Sequence, residues 1–174
     1  MRNNEPRLLS SNGAIGGTGP EEKTLRTLTS TLAVGDHVTF TGRVPHSEVK
    51  GLYSIADVIC YPRILTLTTA LTTPLKPLEA MAMAKAVITS DVPPMKELVQ
   101  HNATGLWFHA GDHMDLADKC VSLLVDPTKR ETLGAAARDW VVRERHWPTL
   151  IAGYKSIYEG VLGREAHVGE RMPA

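Results

Sequence analysis

Cysteine is scarce, and the little there is forms no metal or redox motif. The 174 residues hold two, Cys60 and Cys120, in apolar surroundings and without a CxxC pair. They read as buried free thiols, with a disulfide the lesser alternative. Seven histidines are scattered with no HExxH and no paired Cys/His spacing, so no metal site is expected. A charge excess is missing as well: 19 Lys and Arg meet 19 Asp and Glu. Zero net charge argues against a nucleic-acid partner, although a local basic pocket is compatible with it. No apolar run approaches the ~20 residues of a membrane-spanning helix, so no integral membrane segment is expected. Met1–Pro6 is polar and no apolar stretch follows it, which speaks against a secretory leader. Cytoplasmic residence is the default these absences leave. Nothing in the sequence fixes an oligomeric state.

What is present is a soluble-domain composition, 43% hydrophobic and 22% charged, in a chain long enough for one well-buried domain. The pattern is strand, turn, helix, repeated. Strands are expected at Leu8–Ile15, Val38–Thr41, Asp57–Tyr61, Ala86–Thr89 and Gly105–Phe108. Helices are expected at Glu21–Leu32, Ser47–Ile55 with Ser47 as cap, Leu78–Lys85, Met95–His101 and Asp115–Val125, where Leu116, Cys120, Leu123 and Leu124 share a face. Asp126-Pro127 opens a further helix toward Glu144, and Pro148–Leu162 is a last one. Residues 1–162 are read as one domain and 163–174 as a polar, frayed tail. Alternating strands and helices imply an α/β fold, a Rossmann-like doubly wound parallel sheet with helices on both faces. Ligands of such sheets bind beyond the carboxyl ends of the strands. That directs attention to the loops Gly16–Pro20, Gly42–His46, Pro62–Leu78 and Asp91–Pro94.

The most informative run is Thr73-Pro74-Leu75-Lys76-Pro77-Leu78-Glu79, a proline-framed loop that turns into a helix with Glu79 in its first turn. Proline suits the start of a helix because its missing N–H would be unpaired there. The first turn offers backbone N–H groups and the positive end of the helix dipole to an anion. Lys76 and Glu79 are three apart, which also fits an exposed ion pair worth a few tenths of a kcal/mol, of order 0.3. Placement at a strand's carboxyl end favours a ligand role: donors for a diphosphate, an acceptor for ribose hydroxyls. Gly16-Gly17-Thr18-Gly19-Pro20 follows a strand; it is either a tight turn or, through Gly17 and Gly19, a close approach to a phosphate. It matches neither GxGxxG nor a P-loop. Arg43 after the second strand faces an anion or lies on the surface, and His46 reads as a capping or solvated residue. Met81 and Met83 read as core packing.

Taken together, Gly16-Gly17-Thr18-Gly19-Pro20-Glu21, Val38-Thr39-Phe40-Thr41-Gly42-Arg43-Val44, Ala56-Asp57-Val58, Tyr61-Pro62-Arg63, Pro77-Leu78-Glu79-Ala80-Met81-Ala82, Ser90-Asp91, Thr104-Gly105-Leu106 and Gly111-Asp112 resemble the family 4 (group 1) glycosyltransferases. These are retaining, metal-independent enzymes of the two-Rossmann-domain type called GT-B. The Thr73-Pro74-Leu75-Lys76 variant resembles a branch associated with exosortase and exopolysaccharide loci. The resemblance spans Leu8 to Leu162 and implies the carboxyl-terminal, donor-binding domain, without its first strand–helix unit. It implies that Glu79 holds the ribose of a UDP- or GDP-hexose, and that backbone around Leu75, Lys76, Pro77 and Leu78 cradles the diphosphate. It further implies that Arg43 and Val44 meet the base and that Tyr61 and Arg63 line the cleft. No cofactor beyond the nucleotide-sugar is implied. A separate acceptor-binding domain is the implied partner, and through it or the acceptor a membrane association.

Two departures from the pattern bear on catalysis. The earlier acid of the motif falls at Ala70 or Leu71, neither of which ionises, so no catalytic residue is assigned. The Arg and Lys that neutralise the diphosphate after the first strand have no counterpart, since Arg2 and Arg7 lie outside that motif. One such contact carries about 3 kcal/mol of barrier. Little or no turnover is therefore expected of this chain alone. The rival from another class is a non-catalytic nucleotide-sugar-binding remnant or subunit. A nicotinamide oxidoreductase is disfavoured by the missing GxGxxG and its acidic partner ~20 positions on.

Overall fold

The computed structural model describes residues 11–162, so the segment read as a tail, 163–174, and the start of the expected first strand lie outside it. The α/β class and parallel pairing expected from the sequence are found. The chain divides into two compact units, the first running to Leu52 and the second starting at Tyr53, where the sequence reads one domain.

The first unit holds β1 (Gly13–Gly16), α1 (Glu22–Thr31), a 3₁₀ turn at Gly35–His37, β2 (Val38–Gly42) and most of α2 (His46–Ile55). β1 and β2 pair in parallel, Gly13 opposite Val38 and Ile15 opposite Phe40, with the register slipping before Gly16. None of its described residues is fully buried. Leu28 of α1 and Leu32 just beyond it are 50% and 60% exposed. Two strands and two short helices enclose too little volume to cover both faces of a parallel sheet. Ser47 lies inside α2, which starts at His46, so it is not the cap expected of it.

The second unit carries the core. Its elements are β3 (Val58–Tyr61), α3 (Leu67–Leu71), α4 (Lys76–Ala82), β4 (Ala86–Ser90), α5 (Pro93–Leu98), β5 (Leu106–Phe108), α6 (His113–Leu124), α7 (Pro127–Glu144) and α8 (Trp147–Val161). The strands form one parallel sheet in the order β3-β4-β5, with Val58 opposite Ala86 and Ile88 opposite Leu106. All five residues of β4 are buried, as befits a central strand covered on both sides. Alternation sends Val87 to one layer with Met81, Leu98, Ala137 and Trp140. Ala86 and Ile88 go to the other, with Leu106, Phe108, Leu123 and Leu133.

The strands thus hydrogen-bond as two sheets, β1-β2 and β3-β4-β5, instead of the single sheet expected.

Helix α4 starts two residues earlier than expected and stops three earlier. Its end is set by Ala84, whose φ of +55° leaves the right-handed region, and by the Lys85 N–H reaching back to the Ala80 carbonyl at 3.1 Å. The guanidinium of Arg138 on α7 donates to the Ala82 carbonyl at 2.9 Å and satisfies a C-terminal acceptor. Gly134 lets α7 come this close: a Cβ there would sit 2.1 Å from the Ala84 carbonyl oxygen. The neighbouring Met81 is fully buried, as expected, while Met83 is only partly so.

Candidate functional site

The carboxyl ends of β3 and β4 meet the start of α4 in the second unit. Tyr61 is the last residue of β3, and its hydroxyl donates to the Lys76 carbonyl at 2.8 Å. The same oxygen lies 3.4 Å from the Tyr53 hydroxyl. Burial, then the bond to Tyr53, then the nearby charges including Glu79 push the Tyr61 phenol well above its ordinary value of 10, so it stays a donor. Beyond Pro62, the Arg63 N–H donates to Oγ of the fully buried Ser90 at the end of β4, 3.0 Å away. The Arg63 guanidinium donates to the Thr72 carbonyl at 3.1 Å. Two strand ends are therefore tied to the segment that leads into α4.

Helix α4 opens with Leu75 as its N-cap residue and no side chain capping the first turn. Pro77 is buried and contributes no N–H, Leu78 is partly buried, and Leu75 and Lys76 are exposed. Glu79 is in that first turn and exposed, so its carboxylate faces solvent and not the apolar interior. No ion pair joins Lys76 to Glu79 among the described residues. The bland alternative for that spacing is not what the structure contains.

The remaining sequence-derived residues sit in the first unit. Gly17 has a φ of +120°, and its N–H donates to the Gly42 carbonyl at 2.9 Å, carrying the β1–β2 pairing one residue past β1. Gly19 and Arg43 are exposed and Val44 is partly buried, directly after β2. The structure brings together Tyr61, Arg63, Lys76 and Glu79 with Leu75, Pro77 and Leu78 in the second unit. It places Gly17, Gly19, Arg43 and Val44 in the first.

The segment expected to be a loop between Arg63 and Thr73 contains α3. Thr66 caps it: its hydroxyl accepts from the Thr69 N–H at 3.1 Å, while the Thr69 hydroxyl accepts from the Thr66 N–H at 2.8 Å. This is a capping box built from two threonines. The usual Ser/Thr-x-x-Glu signature is absent, which is why the pattern passed for a loop. Ala70 and Leu71 both lie on this helix, Leu71 largely exposed, and neither brings an acid.

Ser90, Asp91 and Asp112 belong to the family pattern, and the structure gives each a task. Asp91 Oδ1 accepts from the Ala110 N–H at 2.9 Å, which joins the loops after β4 and β5. Asp112 caps α6, accepting from the N–H groups of Met114 and Asp115, each at 3.0 Å. A cleft on this rim is lined by Pro62, Arg63, Ile64, Phe108, Asp112 and His113. Among the described residues no cluster of His, Cys, Asp or Glu fit for a metal occurs, and no helix is long and apolar enough to cross a membrane.

The chain is 36% identical over 149 residues to a GDP-mannose-dependent alpha-(1-6)-phosphatidylinositol monomannoside mannosyltransferase of Mycobacterium tuberculosis, covering 84% of this chain and 38% of that protein. It thus spans under two-fifths of that relative's length. Sucrose-phosphate synthase from Thermosynechococcus elongatus superposes with a TM-score of 0.73 at 26% identity, over 86% of this chain and 38% of that one. Anabaena HepE, solved in complex with UDP-glucose, superposes at 0.68 with 19% identity, over 87% of this chain and 41% of that one, and speaks to the fold alone. The model of the group 1 glycosyl transferases matches residues 11–140, which takes in β1 through most of α7 and every residue of the rim described above. The chain belongs to the glycosyl transferases group 1 family.

Proposed function

We propose that this chain supplies the nucleotide-sugar-binding half of a retaining, metal-independent glycosyltransferase that moves a hexose from a UDP- or GDP-sugar to a hydroxyl acceptor. The observation that carries the reading is the exposed Glu79 in an uncapped first turn, set beside Tyr61 at the strand ends. In this proposal Glu79 accepts from the ribose hydroxyls, and backbone at Leu75, Lys76, Pro77 and Leu78 meets the diphosphate. Lys76 supplies a positive charge, and Tyr61 and Arg63 shape the rim. Gly17, Gly19, Arg43 and Val44 are assigned to the nucleotide from their match to the family pattern. Family membership and the GDP-mannose dependence of the mycobacterial relative support the donor class.

Charge building on the leaving diphosphate is the quantity such a site stabilises, and preorganised donors do so most effectively. The proposed acceptor is a lipid-linked or polysaccharide hydroxyl, held by a separate acceptor-binding domain. The proposed location is cytoplasmic, with membrane association through the acceptor or that partner. The Thr73-Pro74-Leu75-Lys76 run supports placement in the exosortase and exopolysaccharide branch.

A second reading has its own observation. Helix α3 carries Ala70 and Leu71 where the family pattern has an acid, and the segment 64–71 is without charge. On this reading the chain binds the donor and does not turn it over. Incubation with radiolabelled UDP-glucose and GDP-mannose separates the two. Binding without hydrolysis or transfer supports the non-catalytic module, and turnover at ordinary enzymatic rates supports the transferase. Binding of neither UDP, GDP nor their sugars in calorimetry overturns both.

A further inference from the structure

The two cysteines that the sequence sets sixty positions apart meet in the fold. Cys60 on β3 and Cys120 on α6 place their Sγ atoms 3.6 Å from each other. Both are partly buried free thiols, packed against the layer of Ile88, Leu106 and Leu123. They are the only cysteines of the chain. The structure has the free thiols that the sequence leads one to expect and adds that they are neighbours. Neither is sealed from solvent, and each is the other's neighbour.

We propose that Cys60 and Cys120 are a reversible thiol–disulfide pair, a modification site that staples β3 to α6 under peroxide. Bond formation needs the sulfurs to close from 3.6 Å to about 2.05 Å, a displacement within reach of side-chain rotation. The strand and helix already lie against each other. Chemically, Cys120 gives its thiol proton to solvent, and its thiolate attacks a peroxide oxygen. The O–O bond breaks, hydroxide leaves as water, and Cys120 becomes a sulfenic acid. The Cys60 sulfur then attacks the sulfenic sulfur, the S–O bond breaks, and the departing hydroxide takes the Cys60 proton. Two thiols are oxidised, one peroxide is reduced, and two waters form.

The local electrostatics agree with this order of events. The contact with Cys120 and burial push the Cys60 thiol far up, whereas the contact with Cys60 draws the Cys120 thiol down from its ordinary value of 9. The proposal takes Cys120 as the attacking sulfur and Cys60 as the resolving one.

The test uses the whole chain with hydrogen peroxide at equimolar concentration. The expected result is loss of both titratable thiols, an intact mass lower by two hydrogens, and a peptide pair joined through Cys60 and Cys120. Dithiothreitol restores the thiols, and the oxidised chain melts at a higher temperature than the reduced one. In Cys60→Ser the same treatment leaves Cys120 as a sulfenic acid trapped by dimedone. In Cys120→Ser the Cys60 thiol survives. Persistence of both thiols, a disulfide only between two chains, or a lower melting temperature on oxidation would each overturn the proposal. Circular dichroism of both serine variants establishes that they fold.

Discussion

The Tyr61 hydroxyl donates a 2.8 Å hydrogen bond to the carbonyl of Lys76, fastening the end of β3 to the first residue of α4. That contact sets where Glu79, one turn on, presents its carboxylate. Tyr61→Phe removes the donor. The expected cost is about 1 kcal/mol of stability, seen as a lower denaturant midpoint with an unchanged slope. Nucleotide affinity measured by calorimetry falls with it, because the first turn is no longer tied down.

Glycine to alanine should have opposite signs at two positions. Gly134 on α7 has the Ala84 carbonyl oxygen 2.1 Å from the place a Cβ would occupy. Gly134→Ala therefore forces α7 away from the end of α4 and costs about 1–3 kcal/mol. Nothing lies within 4 Å of a Cβ at Gly153 on α8. There the substitution stabilises by up to ~1 kcal/mol through helix propensity. Urea unfolding of both variants checks the pair of signs.

Capping of α6 gives a third expectation. Asp112 accepts from the N–H groups of Met114 and Asp115. Asp112→Ala costs about 1 kcal/mol, whereas Asp112→Asn costs little, since asparagine caps equally well. Thermal melts of the two variants decide this.

Asp115 and His109 make stability depend on pH in a stated window. The Asp115 carboxylate accepts from the His109 backbone N–H at 2.8 Å and lies 2.9 Å from its ring Nδ1. These bonds lower Asp115 from 3.8 to about 2 and raise His109 above its ordinary 6.5. A lowered carboxyl contributes stability above 3.8 and loses it as pH falls toward 2; a raised imidazole contributes below 6.5 and loses it as pH rises through its folded value. The pair therefore stabilises most between about pH 4 and 6.5. The melting-temperature gap between the wild type and Asp115→Asn should be widest there, and an NMR titration should place His109 above 6.5.

Much of this was legible in the chain. Val87, Ile88 and Thr89 read as a buried strand because a β-branched run between a helix and a turn leaves few alternatives, and β4 is buried throughout. Pro77 and Glu79 marked the opening of α4 because proline's missing N–H and a first-turn carboxylate are local properties. The rest depended on distant partners. That α4 ends at Ala82 follows from Arg138 and Gly134 on α7, more than 50 residues away. Helix α3 rests on a Thr66–Thr69 reciprocal cap that carries no acidic signature. The meeting of Cys60 with Cys120 is a product of strand and helix packing that neither flanking sequence announces.

The central claim is that the acidic group at the head of α4 captures the sugar-nucleotide's ribose, and calorimetry of UDP and GDP against the wild type and Glu79→Ala tests it most directly. Because Glu79 is exposed, the variant should melt within about 0.5 kcal/mol of the wild type. It should nevertheless bind its preferred nucleotide about tenfold more weakly, a loss of ~1.4 kcal/mol. Equal affinity in the two proteins, or no binding by the wild type, would contradict the account.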